Sequence, residues 1–291
     1  MPGSATLPHE RRLAMHFHAP EGTDLVAPLA TGAVFMVALV RDRGEVVVCK
    51  RLLPRVRAEP AARAAMAREG LALSRARHPS LPDLRRVGAD AQGPFILETR
   101  ARGASVRALV DGWNARGKGV PPRLVAHVAA AAAEALAELH ELADDRGPLA
   151  LSHGDLGPDH VILGPLGDVR FVDLGAARLA GMDPALRTDD RGTLPFAAPE
   201  VARGEASPDQ AADVYALAAT LLYLATGGPL CAARGDAAML LEIGERGLSA
   251  SLCDRAAGLT ESGRDALRRA TLRGPSQRLA RARDLAAALS G

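Results

Sequence analysis

His153-Gly154-Asp155-Leu156-Gly157-Pro158-Asp159-His160-Val161-Ile162-Leu163, followed by Val169-Arg170-Phe171-Val172-Asp173-Leu174-Gly175, sets two acids, Asp155 and Asp173, each at the edge of a short apolar run. The runs Val161–Leu163 and Val169–Val172 predict two short strands joined by the turn Gly164-Pro165-Leu166-Gly167-Asp168. Two carboxylates delivered by such strands can hold a divalent metal and orient a hydroxyl, the two services that phosphoryl transfer asks of a protein. Aspartate is also common in plain turns, so the spacing alone leaves a structural role open.

Working outward toward the N-terminus, Ala33–Val40 and Val46–Lys50 flank the charged, glycine-containing turn Arg41–Glu45, which predicts a hairpin. All but Lys50 and Lys118 of the 36 basic residues are Arg, so a lysine at the end of a strand is informative. Its compact ammonium suits a phosphate oxygen and one carboxylate together. The plain alternative is a solvated strand-end lysine. The candidate carboxylate is Glu69, the one acid between Glu59 and Asp83, in an Ala- and Arg-rich segment that predicts a helix from Pro60 to about Arg77. Among Arg63, Arg68, Arg75 and Arg77, Glu69 could equally serve a surface pair. Val87–Thr99 predicts a further strand pair ending in Phe95-Ile96-Leu97-Glu98.

Toward the C-terminus the text is helical. Val120–Leu142 is an alanine-rich run opened by Pro121 and Pro122, and Ala211–Ala225 is an apolar run preceded by Ser207-Pro208-Asp209 and closed by Gly227-Gly228. Strands first and helices later predict an α+β protein with a small β-rich part and a larger helical part. Residues 1–22 are expected to form a flexible arm, with His9, His16 and His18 as a loose cluster.

Composition narrows the classes. Across 291 residues, 48% apolar and 24% charged are the proportions of a globular chain, and a net charge of +2 argues against nucleic acid recruited by bulk charge. Three scattered cysteines, Cys49, Cys231 and Cys253, without CxxC spacing argue against a disulfide framework or zinc site and for a reducing compartment. Leu29–Val40 is too short to span a bilayer, and residues 1–18 lack a signal core. The expectation is a cytoplasmic chain that binds no membrane.

Taken together, the motifs resemble the eukaryotic-type (Hanks-type) Ser/Thr protein kinases, in the branch found in myxobacteria and other high-GC bacteria, over about residues 25–290. Val47-Val48-Cys49-Lys50 resembles the family's strand lysine, and Arg68-Glu69 its helix glutamate. His153-Gly154-Asp155 stands for H-R-D and Asp173-Leu174-Gly175 for D-F-G. Gly192-Thr193-Leu194-Pro195-Phe196-Ala197-Ala198-Pro199-Glu200 is similar to the end of the activation segment, and Asp213-Val214-Tyr215 to the start of the central helix. Pro275-Ser276-Gln277-Arg278 matches the late motif whose Arg pairs with Glu200.

The resemblance implies a bilobal fold, with a small lobe at 23–98, a large lobe at 99–291 and ATP with Mg²⁺ in the cleft between them. It implies that Lys50 holds the α- and β-phosphates, locked by Glu69. Asp155 orients the substrate hydroxyl with Thr193 beside it, and Asp173 binds magnesium. The backbone from Glu98 to Arg100 hydrogen-bonds adenine, Val34 and Ile162 sandwich the base, and Thr188 and Thr193 are candidate phosphosites.

Several positions depart from the family. In the glycine-rich loop only Gly32 remains, with Ala27 and Leu29 at the other two places. Val48 replaces a smaller alanine against the base, Gly154 replaces the H-R-D arginine, and Gly157 stands at the catalytic-loop lysine. His160 occupies the place of the second magnesium ligand, although imidazole suits softer metals. The implied function is a slow Ser/Thr kinase acting on a protein. The alternatives are a pseudokinase serving as a binding or allosteric scaffold for a signalling partner, and a small-molecule phosphotransferase. Oligomeric state is not legible.

Overall fold

A five-stranded antiparallel sheet is the first unit of the computed structural model, which describes residues 17–187 and 192–291. His9 and His16 in the arm, and Thr188, lie outside the described residues. The strands are β1 (Thr23–Thr31), β2 (Phe35–Asp42), β3 (Glu45–Leu52), β4 (Leu84–Asp90) and β5 (Gly93–Glu98), in the order β1-β2-β3-β5-β4. Arg43 and Gly44 turn β2 into β3, with φ of 49° and 88°, the left-handed pair that a two-residue hairpin needs.

Strand alternation decides what the sheet presents on each face. Lys50 is opposite Val37 and Ile96, and Val48 is opposite Leu39 and Glu98. The neighbours out of phase, Val47, Cys49, Phe95 and Leu97, pack on the other face with Met36, Ala38 and Val40. Phe17 completes that second core at 7% exposure. Residues 17–22, expected to belong to a flexible arm over 1–22, thus include a buried side chain. A single aromatic in a polar segment has no periodicity to announce it, and burial of its ring is what ties the segment down.

Helix α1 (Pro60–Arg75) crosses the Lys50 face of the sheet, with Pro60 at its first turn, where a missing N–H costs nothing. Its last turn is anchored outside the sheet. Arg75 Nη2 lies 2.7 Å from Asp144, in the short hairpin formed by β7 (Ala143–Asp144) and β8 (Gly147–Pro148), and Arg75 also donates to Ala180 O.

The remainder is helical: α2 (Val106–Asn114), α3 (Pro122–His140), α4 (Pro199–Ala202), α5 (Gln210–Thr226), α6 (Asp236–Arg246), α7 (Ser251–Asp254), α8 (Glu261–Ala270) and α9 (Ala282–Leu289). Strands β9 (Val161–Leu163) and β10 (Val169–Phe171) pair with each other, and β9 also pairs with β6 (Ala104–Ser105). Helix α5 is buried without a break from Ala212 to Leu224, as expected for a helix apolar on every side. Its ends follow the sequence: the Asp209 side chain accepts from the Ala212 N–H, and Gly227 closes it at φ 66°. The fold is α+β and bilobal, sheet first and helices after. Among the described residues no helix is long and apolar enough to cross a membrane.

Arg278 joins the segment before α9 to α4. Its side chain is 0% exposed, donates twice to Glu200 at 2.7 and 2.9 Å, and lies 4.8 Å over the Tyr215 ring. Arg278→Leu strands a carboxylate and is expected to cost about 3–5 kcal/mol in urea denaturation. A loss under about 1 kcal/mol would rank the pair with exposed ones. Burial raises the Glu200 carboxyl, but the Arg278 bond outweighs it and holds the group below the usual range. The pair's contribution is therefore complete above the unfolded value of about 4.3 and is lost as pH falls through the lower folded value. The wild-type advantage over Arg278→Leu should narrow in acid.

Candidate functional site

Between the sheet and the helical part lies a cavity of about 880 Å³, within the range of small-molecule sites. Gly32, Val34 and Val48 line it from the sheet, and Ile162 lines it from the opposite side. Gly32 follows β1, and its N–H bonds the Phe35 carbonyl at 2.9 Å. A Cβ at Gly32 would meet nothing closer than 4.0 Å, so the fold does not demand glycine here. Arg100 reaches the rim, and the Thr99 N–H is engaged by Asp83 O at 2.9 Å.

Lys50, 5% exposed, points from β3 into this space. Its ammonium bonds Glu69 of α1 and stands 3.3 Å from Glu98 Oε1. Burial works against the charge, but Glu69, Glu98 and Asp173 outweigh it and keep the ammonium protonated far above neutral pH. Glu98, expected to contribute backbone, also places a buried carboxylate beside the lysine. Burial raises this carboxyl while Lys50 opposes the rise.

Helix α1 also grips Asp173-Leu174-Gly175. Glu69 Oε1 accepts from the Leu174 N–H at 3.3 Å, and Arg68 donates to Gly175 O at 2.7 Å and to Leu186 O at 2.9 Å. Asp173 sits at φ 69°, a left-handed conformation that a non-glycine residue keeps only when its surroundings impose it. Burial raises its carboxyl, but Lys50 and His160 outweigh that and hold it ionised below the usual range.

Asp155 faces the same cavity. Thr193 Oγ1 donates to its Oδ1 at 2.7 Å. Burial pushes the Asp155 carboxyl above its ordinary value, with His160 and Thr193 opposing. The loop that carries it is held from below by Asp213 of α5, 1% exposed, which accepts from the His153 N–H at 2.7 Å and the Gly154 N–H at 2.9 Å. Burial lowers His153 to about 4, so the ring is neutral; its Nε2–H donates to Val172 O at 3.0 Å.

Does this donor set fit magnesium? Asp173 does: the ion binds through one or two carboxylates, with water and phosphate oxygens completing its shell. His160 does not. Its Nδ1 is 2.7 Å from the Asp155 carbonyl oxygen, an acceptor, so Nδ1 carries a proton. Its Nε2 lies 3.7 Å from Asp173. Burial opposes charging the ring, but Asp173 and Asp155 outweigh it and raise the imidazole above its usual value. With its Nδ1–H on the Asp155 carbonyl, the ring turns Nε2 toward Asp173, where an imidazole suits a softer metal better than magnesium. Among the described residues no group of three or more His, Cys, Asp or Glu side chains forms a protein-only metal cage.

The structure thus brings Lys50, Glu69, Glu98, Asp155, His160, Asp173 and Thr193 around one space. Sequence reasoning gave Asp213 and Arg68 no role. An acid within the apolar run of α5 was a usable signal for the first. The partners of Arg68 lie 107 and 118 residues away, and nothing local marks them.

A family model described as protein kinase domain matches residues 29–281. The chain is 27% identical over 225 residues to the putative cyclin-dependent kinase F-2 of Oryza sativa, covering 74% of this chain and 65% of that protein. It is 36% identical over 141 residues to the serine/threonine-protein kinase PknK of Mycobacterium tuberculosis, covering 46% and 12%. It is 28% identical over 204 residues to the tyrosine-protein kinase MasK of Myxococcus xanthus, covering 68% and 31%. The match spans less than two thirds of each of these relatives.

Gly154 is dictated by geometry. Its φ is +82°, and a Cβ there would collide with the carbonyl oxygen of Ala176. Gly154→Ala is expected to destabilise by at least about 1–2 kcal/mol from the left-handed backbone alone. Thermal unfolding reads this directly, and a variant as stable as wild type would show that the loop can open without cost. Gly154→Arg, the residue of the H-R-D pattern, should be worse.

Proposed function

The chain belongs to the protein kinase family, and on that premise we propose that it transfers the γ-phosphoryl group of ATP to a serine or threonine of a protein, at a low rate. The observation that carries the reading is the buried Lys50–Glu69 pair facing the same cavity as Asp155 and Asp173. Such a pair is costly to bury, and a polyanionic ligand beside it recovers part of that cost.

The chain's own groups would act as follows. Lys50 holds phosphate oxygens, and Glu69 fixes where the ammonium sits. Asp155 orients the attacking hydroxyl and accepts its proton; its burial favours proton uptake. The hydroxyl oxygen bonds the γ-phosphorus as the bond to the bridging oxygen breaks, and ADP leaves with the electron pair. Asp173 would hold magnesium, which supplies charge neutralisation when bound. His160 ties the Asp155 backbone to the Asp173 side, placing an imidazole where a second ion could otherwise sit. Thr193 on Asp155 supports a hydroxyl acceptor of the Ser/Thr kind.

The low rate follows from missing charge. Gly157 leaves the γ-phosphate without a lysine there, although a Cβ at this position meets only Phe196 at 3.9 Å. A second reading, a binding or allosteric module, is favoured by the lone Gly32 and by His160. Two measurements separate them. ATP with magnesium at a hundred times its Kd should add about 2.7 kcal/mol of stability and raise Tm. Radiolabelled ATP with a generic Ser/Thr protein should give transfer that Asp155→Asn lowers on the order of 10²–10⁴-fold. A Tm shift without Asp155-dependent transfer favours the module, and no shift at all overturns nucleotide binding.

A further inference from the structure

Glu98 carries a carboxylate oxygen with nothing to bind. The residue is 3% exposed, and Oε2 is among the buried side-chain atoms that have no hydrogen-bond partner. Its other oxygen, Oε1, stands 3.3 Å from the Lys50 ammonium. A buried acceptor left unsatisfied costs about 1–3 kcal/mol, more when it is charged. An orphan at this depth therefore marks a place where a ligand donor is missing.

Its position says which donor. Strand pairing sets Glu98 directly opposite Val48, and both line the cavity, together with Val34 and Ile162. Those three are apolar, so the wall around the carboxylate suits a flat apolar ring. The carboxylate is the acidic side chain that β5 contributes where that wall meets Lys50. With the ammonium against Oε1, the free lone pairs are on Oε2. A ring lying against Val48, with its phosphates toward Lys50, would present its edge to Oε2.

We propose that the Glu98 side chain is a specificity determinant of this site, with Oε2 accepting a hydrogen bond from the exocyclic amino group of a 6-aminopurine nucleotide. The proposal rests on the ATP-dependent reading above and deepens it. The same oxygen disfavours a 6-oxopurine, whose carbonyl would face a carboxylate with no proton between them. Selection works mainly by this repulsion and by the cost of leaving the acceptor dry. Sites built to hydrogen-bond a ligand group reject analogues lacking it more strongly than apolar pockets reject a missing methylene.

The test is calorimetric titration of the full chain, with magnesium, using three probes: ATP, the triphosphate of purine riboside, which has hydrogen in place of the amine, and GTP. For wild type, ATP should bind on the order of ten- to a hundred-fold more tightly than the amine-free analogue, the worth of a hydrogen bond to a charged group. In Glu98→Met that ratio should collapse to within about two-fold, because the acceptor is gone. Glu98→Gln, which keeps the shape, should retain part of it. The ratio is the informative quantity: both probes carry the same triphosphate, so any disturbance of Lys50 in the variants cancels.

Equal wild-type affinity for ATP and the amine-free analogue overturns the proposal and leaves ATP binding intact. An unchanged ratio in Glu98→Met does the same. Tighter binding of GTP than of ATP overturns it too, by showing a protonated carboxyl acting as donor. Absence of binding by all three probes overturns both the proposal and the ATP-dependent function. If Glu98→Met fails to fold, Glu98→Gln carries the test, and a Glu98→Gln ratio equal to that of wild type overturns the proposal.

Discussion

One buried ammonium organises this molecule. Lys50 is bonded to Glu69, 3.3 Å from Glu98, and faces Asp173 across the cavity. Taking such charges out of water is expensive, and their mutual attraction repays it only with good geometry and further hydrogen bonds. Each acid arrives from a different element: Glu69 from α1, Glu98 from β5, Asp173 from the end of β10. The ammonium is the one group that gives the three a common place. Through Glu69 the effect reaches the Leu174 N–H, and Arg68, the next residue on α1, reaches Gly175 and Leu186. Position of α1 and conformation of the segment after Asp173 are therefore coupled through a few bonds.

The helical part supplies the second fixed point. Asp213 spends its carboxylate on the His153 and Gly154 N–H groups, and His140 Nε2 lies 3.1 Å from the same carboxylate. The loop bearing Asp155 is thus tied to α5, the most completely buried helix. Precision at a site is better served by groups held to rigid elements than by free loops. Gly154 fits this picture. The tie to Asp213 requires a left-handed residue pressed against Ala176, and a residue with a side chain would have to break one or the other.

Much of this was legible in the sequence, for identifiable reasons. The hairpin before Lys50 announced itself by two β-branched runs around a glycine turn, and α5 by its cap residues and unbroken apolar text. Lys50 stood out because the chain otherwise uses arginine, and Glu69 because no other acid lies near it. What was hidden depended on facing and distance. Whether Glu98 offers its backbone or its side chain is a matter of register, since strand side chains alternate between faces. The β3–β5 pairing fixes it opposite Val48, a fact with no local signature. Phe17 was hidden for a related reason: one aromatic cannot show a period. The partners of Arg68 are separated from it by more than a hundred residues.

His160 puts an imidazole where two carboxylates converge. A magnesium ion between two aspartates neutralises charge and accepts lone pairs from phosphate oxygens. An imidazole between Asp155 and Asp173 donates a hydrogen bond and suits magnesium poorly as a ligand. Its Nδ1–H is committed to the Asp155 carbonyl, which fixes the ring in the plane where Nε2 faces Asp173. His153, stacked at 6.2 Å, is neutral and sets the ring's other side. The result is a carboxylate pair bridged by a covalently attached ring. Such a site keeps the arrangement of a phosphoryl-transfer centre with less positive charge than two metal ions would bring. That difference, rather than any loss of shape, is the physical ground for the low rate proposed above.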